Sequence, residues 1–191
     1  MKKLICVLLL CAVILFGTAF ALNGLAAKNA QKEHLWLMQT ILPGSETFTL
    51  EPYAGEDANI RSVHKAENGF VIETVTRGYA DDIRMLVAVT KDGHVTGLVV
   101  AEAHETLGLG SRILTDHVFL SQFLNGTGSF AAATADAFSG ATGAAETGDE
   151  TQVDAISGAT VSSKAVIRCV NSAIAYVTGA DASSGATSWG G

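Results

Sequence analysis

Proline occurs twice in these 191 residues, cysteine three times and tryptophan twice, and Lys plus Arg number 12 against 19 Asp plus Glu. Each shortage closes off a class of protein. Cys6 and Cys11 both fall in an apolar N-terminal run, which leaves Cys169 alone and no disulfide framework to build. A formal net charge of −7 lacks the basic footprint that binding to nucleic acid or to an anionic membrane surface requires. The five histidines, at 34, 64, 94, 104 and 117, make no ligand-spaced cluster with Cys169. Gly108 and Gly110 lack the third glycine of a dinucleotide fingerprint, because Ile113 stands in its place. There is no P-loop, and no serine sits in a G-x-S-x-G elbow.

What the chain does have is apolar content, 48% hydrophobic residues against 16% charged. Much of it lies at the front, where Lys2 and Lys3 precede 19 uncharged residues from Leu4 to Leu22, enough to span a bilayer. Ala19-Phe20-Ala21 has the small-x-small form that a signal peptidase accepts, yet the run exceeds the roughly 7–15 residues of a signal core. The expectation is a single-pass anchor over 1–27 with a short cytoplasmic N-terminus. The positive-inside rule then places the soluble part on the extracytoplasmic side of the cell membrane. A cleaved signal would export the domain equally.

Beyond the anchor, residues 28–68 are expected to be a connecting segment. A helix runs from Lys28 to Gln39, stops before Pro43-Gly44, and is followed by loops with short strands. The main domain is expected over 69–178. Phe70–Arg77 and Ile83–Thr90 are rich in β-formers, and Ile83, Met85, Val87 and Val89 alternate as the apolar face of a half-buried strand. Asp92-Gly93 suits a type I′ hairpin turn, after which Val95–Ala101 pairs back. Asp116 is placed to cap a helix whose Phe119, Leu120, Phe123 and Leu124 share one face, with Gly126 just past its end. Residues 126–150, rich in Gly, Ala, Thr and acid, read as a flexible low-complexity insertion. Val166, Cys169, Val170, Ala173, Ile174 and Val177 then recur at helical spacing, and 179–191 reads as a disordered tail. The fold class expected is α+β: a transmembrane helix, an antiparallel-sheet domain and a C-terminal helix.

One heptapeptide occurs in three near-copies, DAFSGAT from Asp136 to Thr142, DAISGAT from Asp154 to Thr160 and DASSGAT from Asp181 to Thr187. Their surroundings differ. Thr142 leads into GAAETGDE and Thr187 into SWGG, whereas Thr160 stands immediately before the strong C-terminal helix, with Ser162 or Ser163 available as N-cap. Unpaired backbone N–H groups and the dipole at such a point favour an anion, commonly phosphate. Gly158 and Ala159 let the backbone approach it. Composition alone does not separate this from an ordinary capping turn.

The whole pattern D-x-x-S-G-A-T resembles the recognition motif of bacterial flavin transferases, which cleave FAD and join FMN through its phosphate to the threonine hydroxyl. Independently, His104 to Gly110 (HETLGLG), with Phe119, Gln122 and Phe123 after it, resembles the ETPGLG segment and following helix of FMN-binding domains. These domains occur in Rnf electron transport complexes and in Na+-translocating NADH:quinone oxidoreductases. The likeness covers most of 1–178, and the short chain resembles the G subunit of the Rnf type more than the longer quinone-reductase homologue. Leu107 stands where the family usually has proline.

The resemblance implies an electron-carrying subunit of an ion-translocating ferredoxin:NAD oxidoreductase, with FMN covalently attached through a phosphoester to Thr160. It implies that Ser157, Gly158, Ala159, Ser162 and Ser163 surround the phosphate. Glu105, Thr106, Leu107, Gly108 and Gly110 would meet the ring or ribityl chain. His104 reads as a solvated or hydrogen-bonded imidazole. No catalytic residue and no metal site is implied. The implied partners are the other membrane subunits and a flavin transferase. Two alternatives stay open: a stand-alone exported flavoprotein serving an extracellular acceptor, and a module that holds a phosphate-bearing ligand without a covalent bond.

Overall fold

The computed structural model describes residues 29–103, 116–133 and 151–180. The anchor expected over 1–27 lies outside them, and among the described residues no helix is long and apolar enough to cross a membrane. The chain divides into two units between Leu37 and Met38. Of the first, the described part is the opening turns of helix α1 (29–41), where Leu35 and Trp36 are exposed. Everything else described belongs to the second unit. It begins with the last turn of α1, where Leu42 N–H donates to Met38 O at 3.0 Å just before Pro43 ends the helix.

A five-stranded meander follows: β1 (Thr49–Glu51), β2 (Ile60–Lys65), β3 (Gly69–Arg77), β4 (Asp82–Thr90) and β5 (Val95–Ala103). Neighbours in sequence are neighbours in the sheet, and every pair is antiparallel. After it come helix α2 (His117–Ser121), β6 (Phe130–Ala132), β7 (Thr151–Val153) and helix α3 (Thr160–Thr178). Strands β6 and β7 pair in parallel as a small second sheet. Helix α3 packs on β3, β4 and β6, and its buried Val166, Cys169, Val170, Ala173 and Ile174 form one core with Ile72 and with Ile83, Met85, Val87 and Val89 of β4.

Strand β4 departs from expectation. Its alternating face is buried as read, but Leu86 and Ala88 on the opposite face are fully buried too. The end of α1 covers that second face. Thr96 Oγ1 donates to Ile41 O at 2.9 Å, and a Cβ on Gly97 would lie 2.7 Å from the same oxygen, so only glycine admits the helix this closely. The amphipathic period of a strand does not reveal a cover supplied from some fifty residues away.

Three further expectations are corrected. The β4–β5 connection is not type I′, which needs positive φ at both central residues. Among the described residues the only non-glycine with positive φ is Asn125, and Gly93 alone (φ 85°) is left-handed in this turn. Gly93 N–H donates to Thr90 O and Thr90 N–H to His94 O, the pattern of a three-residue loop ending in a glycine bulge. Helix α2 is capped by Asp116 as expected, its carboxylate accepting from Val118 and Phe119 N–H, but it ends at Ser121 in tight turns, which leaves Leu124 42% exposed. Finally, the start of the segment read as a flexible insertion carries β6, whose fully buried Phe130 stacks edge-on against Phe123, itself edge-on to Phe119. Of the low-complexity stretch and the tail, 134–150 and 181–191 lie outside the described residues.

Candidate functional site

The DAISGAT loop runs from the end of β7 into α3. Ala159 N–H donates to Ile156 O at 2.9 Å, closing a β-turn over Ile156-Ser157-Gly158-Ala159. Gly158 has φ 80° at the third position, the left-handed conformation that a type II turn demands and that glycine supplies without strain. Ile156 and Ala159 pack against the core, whereas Ser157, Gly158 and Thr160 are exposed. The turn is thus pinned by its apolar members.

Helix α3 starts without a side-chain cap. Its N-cap is Ala159, with ψ 30° where a capping residue is normally extended, so neither Ser162 nor Ser163 has the role expected of them. Both lie in the first turn of the helix and are buried, at 1% and 0% exposure. Ser163 works inward: its Oγ accepts from Ile156 N–H at 3.1 Å and donates to Ala159 O at 3.0 Å, bracing the turn from behind. The helix therefore presents the positive end of its dipole next to the exposed Thr160, and its N-cap residue Ala159 makes no side-chain cap.

A residue that the sequence marked only as part of a resemblance proves to touch the motif. The Gln122 side chain, just past α2, grips both backbone groups of Asp154: Asp154 N–H donates to Gln122 Oε1 at 2.8 Å and Gln122 Nε2 to Asp154 O at 3.4 Å. No sequence signal announces a contact of this kind, since a glutamine has no spacing relation to a backbone 32 positions away. Cys169 lies on the inner face of α3, fully buried and 3.2 Å from Thr76 Oγ1. Burial pushes its thiol pKa up, against the opposing pull of the Thr74 and Thr76 hydroxyls, so it packs as a neutral group. An open cleft of about 470 Å³ between β2 and β3, lined by Asn59, Arg61, Thr76 and Arg77, holds no comparable arrangement, and Arg77 is spent on Asp81 and Asp82. Glu105, Thr106, Leu107, Gly108 and Gly110 lie outside the described residues, as do Thr142 and Thr187.

The model of the FMN-binding domain matches residues 78–175, just over half of the chain, from the end of β3 to near the end of α3. The chain belongs to the FMN-binding domain family. Within it, the chain is 35% identical to the G subunit of the ion-translocating oxidoreductase complex of Methanosarcina acetivorans, over 74% of this chain and 73% of that protein. It is 34% identical to the G subunit of the proton-translocating ferredoxin:NAD(+) oxidoreductase complex of Clostridium ljungdahlii, over 57% of this chain and 53% of the relative. The G subunit of the Na(+)-translocating ferredoxin:NAD(+) oxidoreductase complex of Acetobacterium woodii is also 34% identical, over 56% and 47%. The chain thus spans about half the length of these last two. Among solved structures it is similar to the C subunit of the Na(+)-translocating NADH-quinone reductase of Parabacteroides distasonis, with TM-score 0.44 and 24% identity over 61% of this chain and 59% of that one.

The described residues fit the cofactor of this family. An FMN phosphate is held by polar groups within reach of solvent, by a backbone that can come close and by positive potential nearby. Exposed Thr160, left-handed Gly158 and the start of α3 supply these in turn.

Proposed function

We propose that this protein is the electron-carrying G subunit of a membrane-bound, ion-translocating ferredoxin:NAD oxidoreductase complex of Rnf type, with FMN bound covalently through a phosphoester to Thr160. Its domain faces away from the cytoplasm on an anchor formed by residues 1–27. The observation that carries the reading is the exposed Thr160 at the head of α3, behind a glycine-dependent turn, in a chain of the FMN-binding domain family.

Attachment balances as a transfer from FAD. The Thr160 oxygen takes the phosphorus of the FMN half, the pyrophosphate bond breaks, AMP leaves, and the hydroxyl proton passes to the modifying enzyme. Once bound, FMN supplies one- and two-electron transfer, and the protein contributes placement and electrostatics. Gly158 lets the turn stand against the phosphate, Ser157 offers a hydroxyl beside it, and the α3 dipole offsets its charge. Ala159 anchors the turn to the core, and Ser163 supports it from inside. Glu105, Thr106, Leu107, Gly108 and Gly110 are assigned to the ring or ribityl side. The partners are the other membrane subunits and the transferase that loads the flavin.

The test is direct. Protein made together with its flavin transferase should stay yellow after acid denaturation, and peptide mass spectrometry should find the FMN on the peptide containing Thr160. Flavin that washes out on denaturation would leave a non-covalent module. Co-purification with multi-spanning subunits from native membranes tests the complex; isolation of a fully loaded protein without them would favour a stand-alone carrier.

A further inference from the structure

We infer that Gln122 is a positioning residue for the flavin site, locking the Thr160 loop to α2 by way of the Asp154 backbone. The inference rests on the reading that Thr160 carries FMN. The primary amide of Gln122 imitates a strand partner, its carbonyl accepting the Asp154 N–H at 2.8 Å and its NH2 donating to the Asp154 carbonyl at 3.4 Å. Asp154 opens the DAISGAT motif and leaves β7 as it does so. Two residues on, the Ile156 N–H is held from within by Ser163 Oγ at 3.1 Å, and that hydroxyl is tied to Ala159 O.

The loop is therefore fixed at its entry from one side and at its turn from the other. These holds differ in kind. The Ser163 brace belongs to α3 itself, is fully buried and shapes the turn. The Gln122 clasp is exposed and reaches from a different element, so its loss leaves the turn intact but frees the loop relative to α2. Helix α2 is itself held in place: Asp116 caps it, and Phe119, with Phe123 just past its end, packs into the core. A ligand bonded to Thr160 is thereby given a defined orientation towards the α2 side of the domain. That is a positioning effect, felt by a bound flavin and scarcely by the fold.

The experiment uses the full chain loaded by its transferase. Gln122→Met keeps the side-chain length and removes both hydrogen bonds; Gln122→Glu still accepts the Asp154 N–H but donates to the Asp154 carbonyl only when its carboxyl is protonated, the carboxylate repelling that oxygen. Both variants should load FMN at Thr160 to the wild-type stoichiometry. In Gln122→Met the visible circular dichroism of the flavin should be lost and its fluorescence anisotropy should fall, with the unfolding midpoint little changed. In Gln122→Glu the dichroism should return as the pH is lowered through the carboxyl range. The wild-type protein, which shares Asp116, His117 and Asp154, should show no such change. Wild-type flavin optics in loaded Gln122→Met, or no pH-dependent return in Gln122→Glu, would overturn the inference. Absence of flavin from Thr160 in the wild-type protein would instead overturn the reading beneath it.

Discussion

Gly158 and Thr160 sit two positions apart in one motif and answer to different demands, which makes them separable by substitution. Gly158 is conformational: at φ 80° an L side chain crowds its own backbone, so Gly158→Ala is expected to destabilise the folded protein by roughly 1–2 kcal/mol. Thr160 is chemical. It is exposed at the first position of α3, where a β-branched residue is a poorer helix former than alanine. Thr160→Ala should therefore shift stability by no more than about 0.5 kcal/mol while abolishing attachment at this site. Denaturant unfolding of both variants, made without the transferase, checks the contrast. A Gly158→Ala protein as stable as wild type would mean that the turn can form without a left-handed residue.

At the scale of elements, short strands and loops are held by side-chain amides that grip backbone, and this is where the sequence was least legible. Asn171 of α3 does for β6 what Gln122 does for the motif: Phe130 N–H donates to Asn171 Oδ1 and Asn171 Nδ2 to Phe130 O, both at 2.9 Å and both buried. Asn171→Ala leaves a buried donor and a buried acceptor unpaired, so it should cost about 2 kcal/mol or more and loosen the Phe130 packing. Thermal unfolding with near-ultraviolet circular dichroism checks both parts, and a loss under about 1 kcal/mol would mean that water replaces the amide. Strand β4 and helix α3 could be read from periodicity because each is long enough to show one, β3 from its β-forming residues, and β5 from the turn before it. Strands β6 and β7 have three residues each, too few for any period, and a glycine- and alanine-rich context hid the one large anchor, Phe130. The N-cap was misread for a related reason. Ser162 and Ser163 have the right chemistry for capping, yet α3 begins two residues earlier and turns both of them inward. The turn of the motif and the helix after it were legible because both lie in one contiguous stretch. The Gln122 clasp joins two separate elements and was not.

For the whole molecule, the proposed attachment raises the question why one DAxSGAT copy of three should carry the working flavin. Attachment needs only a recognisable peptide with an accessible threonine, and in sequence all three copies qualify. Electron transfer asks for more, since its rate depends on a held distance and orientation between carriers. Around Thr160 the protein supplies that hold: Ile156 and Ala159 rooted in the core, Ser163 bracing the turn, Gln122 clasping the entry and α3 packed on the sheet. The sequences after Thr142 and Thr187 are GAAETGDE and SWGG, with neither a helical period nor an aliphatic residue larger than alanine to root them. In membranes that contain the full complex and the transferase, Thr160→Ala should therefore abolish ferredoxin-dependent reduction of NAD, even where some flavin persists on another copy. The double variant Thr142→Ala/Thr187→Ala should keep wild-type activity and nearly all of its flavin. Site-resolved mass spectrometry and the activity of the same preparations check both halves together. If Thr160→Ala retains full flavin content and turnover, the working site is one of the other two copies, and the ordered loop before α3 is a helix cap and nothing more.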